Sequence, residues 1–180
     1  AYNLASTQIR QVATVGGNLC TASPSGDIAC ALMALNASCE IMNEKGKKRI
    51  VPIQKFFTGV RKTALNKGEL LYRIAIPENH KNVKRIFSRF IKIGTRKSME
   101  CSVVSLAYHI QTDGLGKIIH ATVAIGSVAP TIRLAEEANF LLKGKYIFSL
   151  TEKEREAFAQ TVLSYASPIS DIRATAWYRK

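Results

Sequence analysis

The sequence lacks the features that would mark a membrane protein, a repeat protein or a secreted protein. Its 180 residues contain no apolar run near the roughly 18 residues that a membrane-spanning helix needs. It shows no internal repeat and no segment of low complexity. The amino-terminal segment is amphipathic and lacks the pattern of a secretion signal. With 47% apolar residues, we expect a soluble, cytoplasmic chain that forms one domain or two small lobes.

Closely spaced metal ligands are also missing. The four cysteines are spread along the chain without a CxxC pair, and Zn²⁺ and iron–sulfur sites want closely spaced thiolates. We therefore expect no metal site, and buried cysteines in a reducing compartment. The histidines His80, His109 and His120 show no HxH or HExxH spacing and are interpreted as surface or strand residues.

Known catalytic and nucleotide-binding motifs do not occur either. The sequence has no G-x-G-x-x-G after a strand, which argues against a Rossmann site. It has no G-x-x-x-x-G-K-[ST], which argues against a P-loop. It also has no G-x-S-x-G, so a serine nucleophile of that kind is excluded, and no catalytic residue is predicted.

Acidic residues are few: 13 against 26 lysines and arginines, which gives a net charge of +13. Nucleic acid is one partner that suits such a charge. However, the basic residues are scattered, and no aromatic residues interleave with them as they do on single-strand-binding surfaces. An acidic partner subunit or a phosphate-rich cofactor explains the charge equally well, and the charge alone does not decide.

The hydrophobic pattern places strands before helices and indicates an α+β fold. We predict a helix over residues 4–13 that is broken at Gly16-Gly17, and a helix over 28–37 with Asp27 as its N-cap. Strands are predicted at 39–43, 49–53, 69–77, 85–93, 102–111 and 117–128, and helices at 54–63, 131–143 and 152–165. The last of these begins with a capping box formed by Thr151 and Glu154. A further helical turn is predicted within 169–180.

A polar stretch at residues 77–84 separates two apolar regions and predicts a domain boundary. Residues 1–80 would form a mixed first lobe. Residues 81–180 would form a three-stranded antiparallel sheet covered by the C-terminal helices.

The most unusual stretch is residues 9–27. Adjacent glycines at 16 and 17 let the backbone approach a ligand and tolerate a positive φ, as Asn18 also does. Successive N–H groups in such a turn can hold a pyrophosphate, and Thr14 and Ser23 add hydroxyl donors. Asp27 is an acceptor that suits a ribose hydroxyl or an adenine amine. The alternative is that these are two tight turns around a helix that Asp27 merely caps.

Six segments carry distinctive residues over nearly the whole chain. They are Ile-Arg-x-x-Ala-Thr-x-Gly-Gly-Asn at 9–18 with Ser-Pro-x-x-Asp at 23–27, Phe-Phe-x-Gly-x-Arg-Lys-Thr at 56–63, Glu-Leu-Leu at 69–71 before Ile-x-Ile-Pro at 74–77, Phe-x-Lys-x-Gly-x-Arg-Lys at 90–97, Gly-Ser-Val-Ala-Pro-Thr-x-Arg at 126–133, and Ser-Asp-x-Arg-Ala-x-Ala-x-Tyr-Arg at 170–179. In order and spacing they resemble the FAD-binding subunit of the molybdenum hydroxylases, the flavoprotein component of xanthine and carbon monoxide dehydrogenases.

The resemblance implies FAD as the cofactor. Residues 14–18 would line the diphosphate, Asp27 would lie on the adenosine side, and Leu71 and Lys92 would lie against the flavin. A fixed cation there would stabilise the electron density that builds up on reduction. The predicted cofactor-binding residues are Thr14, Val15, Gly16, Gly17, Asn18, Ser23, Asp27, Leu71 and Lys92.

The resemblance also implies a role in electron transfer. A molybdopterin-binding subunit would oxidise the substrate, a 2Fe-2S subunit would pass electrons to FAD, and an acceptor such as NAD would receive them. The family's N-terminal FAD lobe has no counterpart in these residues, so the site is incomplete in this chain. Either the chain is a fragment or a companion chain supplies that lobe. The alternatives are a docking or scaffold lobe without flavin and, more distantly, a nucleic-acid-binding domain.

Overall fold

The structure is a computed structural model that describes residues 4–96 and 100–180. Lys97, part of one of the segments that carry the resemblance, lies outside the described residues. The helices are α1 Thr7–Val12, α2 Val15–Thr21, α3 Asp27–Ala34, α4 Ile53–Phe56, α5 Glu136–Leu142, α6 Glu152–Ser164 and α7 Ala176–Arg179. The strands are β1 Ser38–Asn43, β2 Lys48–Pro52, β3 Phe57–Gly59, β4 Lys62–Thr63, β5 Glu69–Ala75, β6 Arg85–Ile93, β7 Val104–Thr112, β8 Ile118–Gly126 and β9 Arg133–Leu134.

The strands form three antiparallel units. The first sheet has the order β2-β1-β5, β3 and β4 form a small hairpin, and the second sheet has the order β6-β7-β8-β9. The predicted α+β class is confirmed. A two-residue fourth strand, β9, adds to the three strands that the sequence predicts for the second sheet.

One hydrophobic core joins the two halves of the chain. Helix α3 packs on β7 and β8, and its Cys30 and Met33 are buried in the same cluster as Ala107 and Ala124. Ile41 of β1 belongs to that cluster too. The first sheet and the second sheet are therefore held through α3, and burial of this apolar surface is the main contribution to their association.

Two helices have bounds that differ from the predicted ones. The helix predicted over 54–63 stops at Phe56, because the chain turns back at Arg61, which has a φ of +55°, to pair β3 with β4. Phe56 and Phe57 are nonetheless both buried. The helix predicted over 131–143 begins only at Glu136, because Arg133 and Leu134 pair with β8. The capping box of Thr151 and Glu154 is confirmed.

The three histidines are brought together, which sequence spacing does not indicate. The rings of His80 and His120 lie 4.5 Å apart. The side-chain oxygen of Gln111 accepts from the backbone N–H of His80 (3.1 Å), so its amide nitrogen donates to Nε2 of His109 (2.8 Å). That geometry assigns the His109 proton to Nδ1, which contacts Ser88 (2.6 Å). Burial, reinforced by the neighbouring imidazoles, lowers the pKa of His109 and of His120, so these two rings favour the neutral form.

The described part of the chain offers neither a membrane-spanning helix nor a cluster of metal ligands. No helix within residues 4–96 and 100–180 combines the length and apolar character required to cross a membrane. In the same residues, no group of three or more histidine, cysteine, aspartate or glutamate side chains is placed to hold a metal ion.

Candidate functional site

The segment Gly16-Gly17-Asn18 forms part of a helix rather than a left-handed turn. Gly16, Gly17 and Asn18 lie in α2, and none of them has a positive φ. Thr14 is the N-cap, and its hydroxyl accepts the N–H of Gly17 at 2.9 Å. The prediction of a turn that interrupts the helix at these residues is therefore wrong. The cap at Thr14 satisfies a backbone amide of the first turn, so the chain enters a helix there instead.

The two glycines serve different purposes. A Cβ on Gly17 would lie 2.9 Å from Oγ1 of Thr14, so any side chain there would disturb the cap. A Cβ on Gly16 would meet no atom within 4 Å. The backbone amides of Val15 and Gly16 donate no hydrogen bond within the described residues. Gly16 therefore leaves open space beside two free N–H groups, an arrangement that suits an anion.

A cavity of about 480 Å³ lies against this helix start. Thr14, Gly17 and Asn18 line it, together with Arg10 from α1. Oδ1 of Asn18 is buried and has no hydrogen-bond partner in the described residues. An orphaned acceptor, free amides and a nearby guanidinium fit a ligand that carries both phosphate and hydroxyl or amine groups. The residues present therefore fit the diphosphate end of FAD.

Asp27 and Lys92 meet in one buried ion pair. Nζ of Lys92 lies 2.9 Å from Oδ2 of Asp27, and both side chains are about nine-tenths buried. Oγ of Ser102 donates to the other carboxylate oxygen at 2.6 Å. Asp27 is the first residue of α3, whose N-cap is Gly26 without a side-chain cap. The predicted N-cap role is therefore wrong, because both carboxylate oxygens face donors from the second half of the chain.

The pairing changes how these residues can act on a cofactor. The resemblance assigns Asp27 and Lys92 to different ends of FAD, whereas the structure holds them in contact. Lys92 also donates to the backbone oxygen of Glu100 (3.4 Å). The lysine is thereby fixed in position as a cation, as charge stabilisation requires. Ser102 is a participant that the sequence did not reveal, because 75 residues separate it from Asp27.

The remaining predicted residues divide between two places. Leu71 lies on β5, opposite Ile41 of β1, and packs against the shared core beside α2. Ser23 does not line the cavity at α2. It follows Ala22, the left-handed C-cap of that helix, and lines a second cavity together with Ser25.

The second cavity has a volume of about 550 Å³ and is rich in arginine. Arg61, Arg173 and Arg179 line it with a single acidic residue, Asp171. Arg173 and Arg179 both bond to Asp171, and these hydrogen bonds hold the pKa of its carboxyl below the ordinary value, with Arg173 as the larger cause. Arg61 forms no ion pair within the described residues. The wall of the cavity therefore keeps a net positive charge.

Three residues with a strained backbone lie in or against the loop between α2 and α3. Ala22, Arg61 and Ser127 are non-glycine residues with φ of +47°, +55° and +67°. The N–H of Arg61 donates to the oxygen of Ala22, and the N–H of Ser127 donates to that of Pro24 (2.8 Å). Such conformations cost energy and persist where the surroundings enforce them, which is a common property of ligand-binding loops. None of these three residues was predicted as a site residue from sequence.

The comparisons with known proteins agree with this architecture. Residues 1–79 match the family model described as FAD binding domain in molybdopterin dehydrogenase, and residues 89–180 match the CO dehydrogenase flavoprotein C-terminal domain. The Xanthine dehydrogenase FAD-binding subunit of Escherichia coli O157:H7 is 32% identical over 99% of this chain and 59% of its own length. The Carbon monoxide dehydrogenase medium chain of Afipia carboxidovorans is 30% identical over 98% of this chain and 58% of its own.

The fold is also similar to that of solved structures from the same group of proteins. A chain of the reconstituted CO dehydrogenase from Oligotropha carboxidovorans superposes with a TM-score of 0.88 at 28% identity, covering 99% of this chain and 59% of that one. The described chain thus spans about 59% of the length of such relatives. The chain belongs to the family of FAD-binding flavoproteins of the molybdenum hydroxylases.

Proposed function

We propose that this chain holds the diphosphate and flavin of FAD as the electron-transfer component of a molybdenum-containing hydroxylase. One observation carries the proposal: the start of α2 has open space at Gly16 and two amides that donate no hydrogen bond within the described residues, beside a cavity lined by Val15 and by Asn18, whose side-chain oxygen has no partner there. FAD supplies the redox chemistry when bound. Residues 1–80 would act as the cofactor lobe and residues 81–180 as the C-terminal flavoprotein domain.

The chain's own residues bind and orient in this proposal. The amides of Val15 and Gly16 bind phosphate oxygens, and Arg10 adds positive charge at the cavity wall. Lys92, fixed by Asp27, presents a cation at the flavin side, where it favours electron density on the ring. Thr14 and Val15 are exposed, so a second lobe, on this polypeptide or on a companion, would complete the enclosure.

The partners are proposed from the family. A molybdopterin-binding subunit would oxidise the substrate, and a 2Fe-2S subunit would deliver the electrons to FAD. The family resemblance supports this path. The net charge of +13 suits acidic partner surfaces, to which complementary charge steers association.

Ligand competition tests the cofactor proposal. If the diphosphate is the main anchor, ADP displaces FAD from the purified chain, whereas riboflavin does not, because riboflavin carries no phosphate. The measurement is the change in flavin fluorescence during titration of the apo-chain with FAD, followed by ADP. A chain that binds no flavin, or that loses FAD to riboflavin and ADP equally, would instead support the docking lobe without a diphosphate site.

We further propose that the arginine-lined second cavity receives a dinucleotide acceptor such as NAD. Its volume of about 550 Å³ lies within the range of ligand pockets, and Arg61, which has no ion-pair partner among the described residues, matches a pyrophosphate. We expect Arg61→Ala to weaken NADH binding by roughly tenfold, the loss of one charged hydrogen bond, without altering FAD content. Isothermal titration calorimetry measures the affinity for NADH, and absorbance at the flavin bands measures the FAD content. Equal affinity in the variant and the parent chain would remove Arg61 from the acceptor site.

A further inference from the structure

Strand β6 forms an open edge of the second sheet. The order β6-β7-β8-β9 leaves β7 as its only neighbouring strand among the described residues. Residues Arg85 to Ile93 pair with β7 without a register shift, so the strand is regular over nine residues. An edge of this kind presents unpaired backbone N–H and C=O groups, onto which another extended segment can add.

This edge lacks the usual structural protection. Proteins block edge strands with proline, bulges or short length, and β6 has none of these. The opposite edge, β9, is by contrast only two residues long. Ile86 and Ile91 are each 46% exposed, so the two faces of β6 also offer apolar contacts. Its remaining protection is charge.

The charge along this edge has one sign. Strand β6 contains no acidic residue, and Arg85 and Arg89 are exposed. Lys81 and Lys84 lie just before the strand. None of these four cations forms an ion pair within the described residues. A second copy of β6 in any register would add further arginines along the same seam, and like charges across strands are destabilising.

We propose that the edge of β6 from Arg85 to Ile91 receives an extended acidic segment of another polypeptide by β-strand addition. One face of the strand carries, in order, the side chains of Arg85, Phe87, Arg89 and Ile91. The matching segment therefore carries acidic residues opposite the two arginines and apolar residues opposite Phe87 and Ile91. The backbone bonds would give affinity, and the two charge pairs would select the partner.

A pair of synthetic peptides tests the proposal on the whole chain. The probe is the capped heptapeptide Val-Thr-Glu-Thr-Val-Thr-Glu, which in antiparallel pairing places its glutamates opposite Arg89 and Arg85. The matched probe replaces both glutamates by lysine. We expect the glutamate peptide to slow amide hydrogen exchange in residues 85–91 and to bind roughly tenfold more tightly than the lysine peptide.

Charge reversal provides the decisive comparison. The double variant Arg85→Glu/Arg89→Glu should prefer the lysine peptide, whereas Lys45→Glu/Lys47→Glu makes the same change of charge in the β1–β2 turn and should keep the original preference. Circular dichroism verifies that each variant is folded. Equal protection by both peptides, no protection by either, or unchanged preference in the double variant would overturn the proposal. Protection that rises with chain concentration without peptide would do so too, since it would indicate self-pairing.

Discussion

Replacing Asp27 by alanine should lower the free energy of unfolding by about 3 kcal/mol, because it leaves Lys92 buried without its counter-ion. The substitution also removes the acceptor for Ser102. Breaking a buried pair costs far more than breaking an exposed one, since the remaining charge keeps its desolvation penalty. Urea unfolding followed by circular dichroism at neutral pH measures the effect.

Two variants show whether the cost comes from the buried charge. Asp27→Ala/Lys92→Met removes both charges and should recover most of the loss, as apolar replacement of a buried pair commonly does. Glu152→Ala breaks the exposed pair with Arg155 and should cost less than about 1 kcal/mol. If Asp27→Ala is no more destabilising than Glu152→Ala, the ion pair does not hold the two halves of the chain together.

Local signals predicted the regular elements well. Strand β6 has the predicted bounds, and the capping box opens α6 as expected. The β1–β2 hairpin also turns between the strands predicted at 39–43 and 49–53, at Gly46 with a φ of +76°. These features depend on residues within a few positions of one another, where propensity and cap chemistry dominate.

Prediction failed where a distant group competes with a local one. An aspartate before an apolar run is a good N-cap from sequence. In the structure its carboxylate instead binds Lys92, 65 residues away, and Gly26 takes the cap position. His80 and His120 likewise meet across 40 positions of sequence, because the strand register and the path of residues 77–84 bring them together. Sequence periodicity contains no information about either pairing.

At Gly16, Gly17 and Asn18 the predicted function and the predicted conformation have different outcomes. The residue types predict a ligand-binding stretch, and that stays a prediction. The predicted conformation is wrong, because the glycines are helical and none of them has a positive φ. Thr14 decides between these alternatives, because its hydroxyl caps the helix that begins at Val15. The distinction matters for experiment, since Gly16 tolerates a side chain sterically and Gly17 does not.

Asp27 is therefore a poor residue with which to test cofactor binding. Its carboxylate connects α3 to β6, so a loss of flavin in an Asp27 variant does not distinguish a lost binding group from a lost fold. A useful variant must leave the fold intact and alter only the space that a diphosphate would enter. Among the predicted residues of the first lobe, Gly16 meets that condition.

Gly16→Leu should lower FAD affinity by at least about tenfold while leaving the fold as stable as the parent chain. No atom lies within 4 Å of the added Cβ, and leucine is a better helix former than glycine, so the fold has no reason to weaken. The side chain would occupy the space beside the free amides of Val15 and Gly16, and a phosphate could no longer approach them. Fluorescence titration with FAD and urea unfolding measure the two quantities independently.

Cys20→Leu is the matched control, because Cys20 is an exposed residue of the same helix that lies near its other end, away from the free amides of Val15 and Gly16. It should change neither flavin affinity nor stability appreciably. An unchanged FAD affinity in Gly16→Leu would refute diphosphate binding at the start of α2. A loss of stability in parallel with affinity would show that Gly16 serves the helix itself, since a binding glycine is expected to lose FAD affinity at unchanged stability.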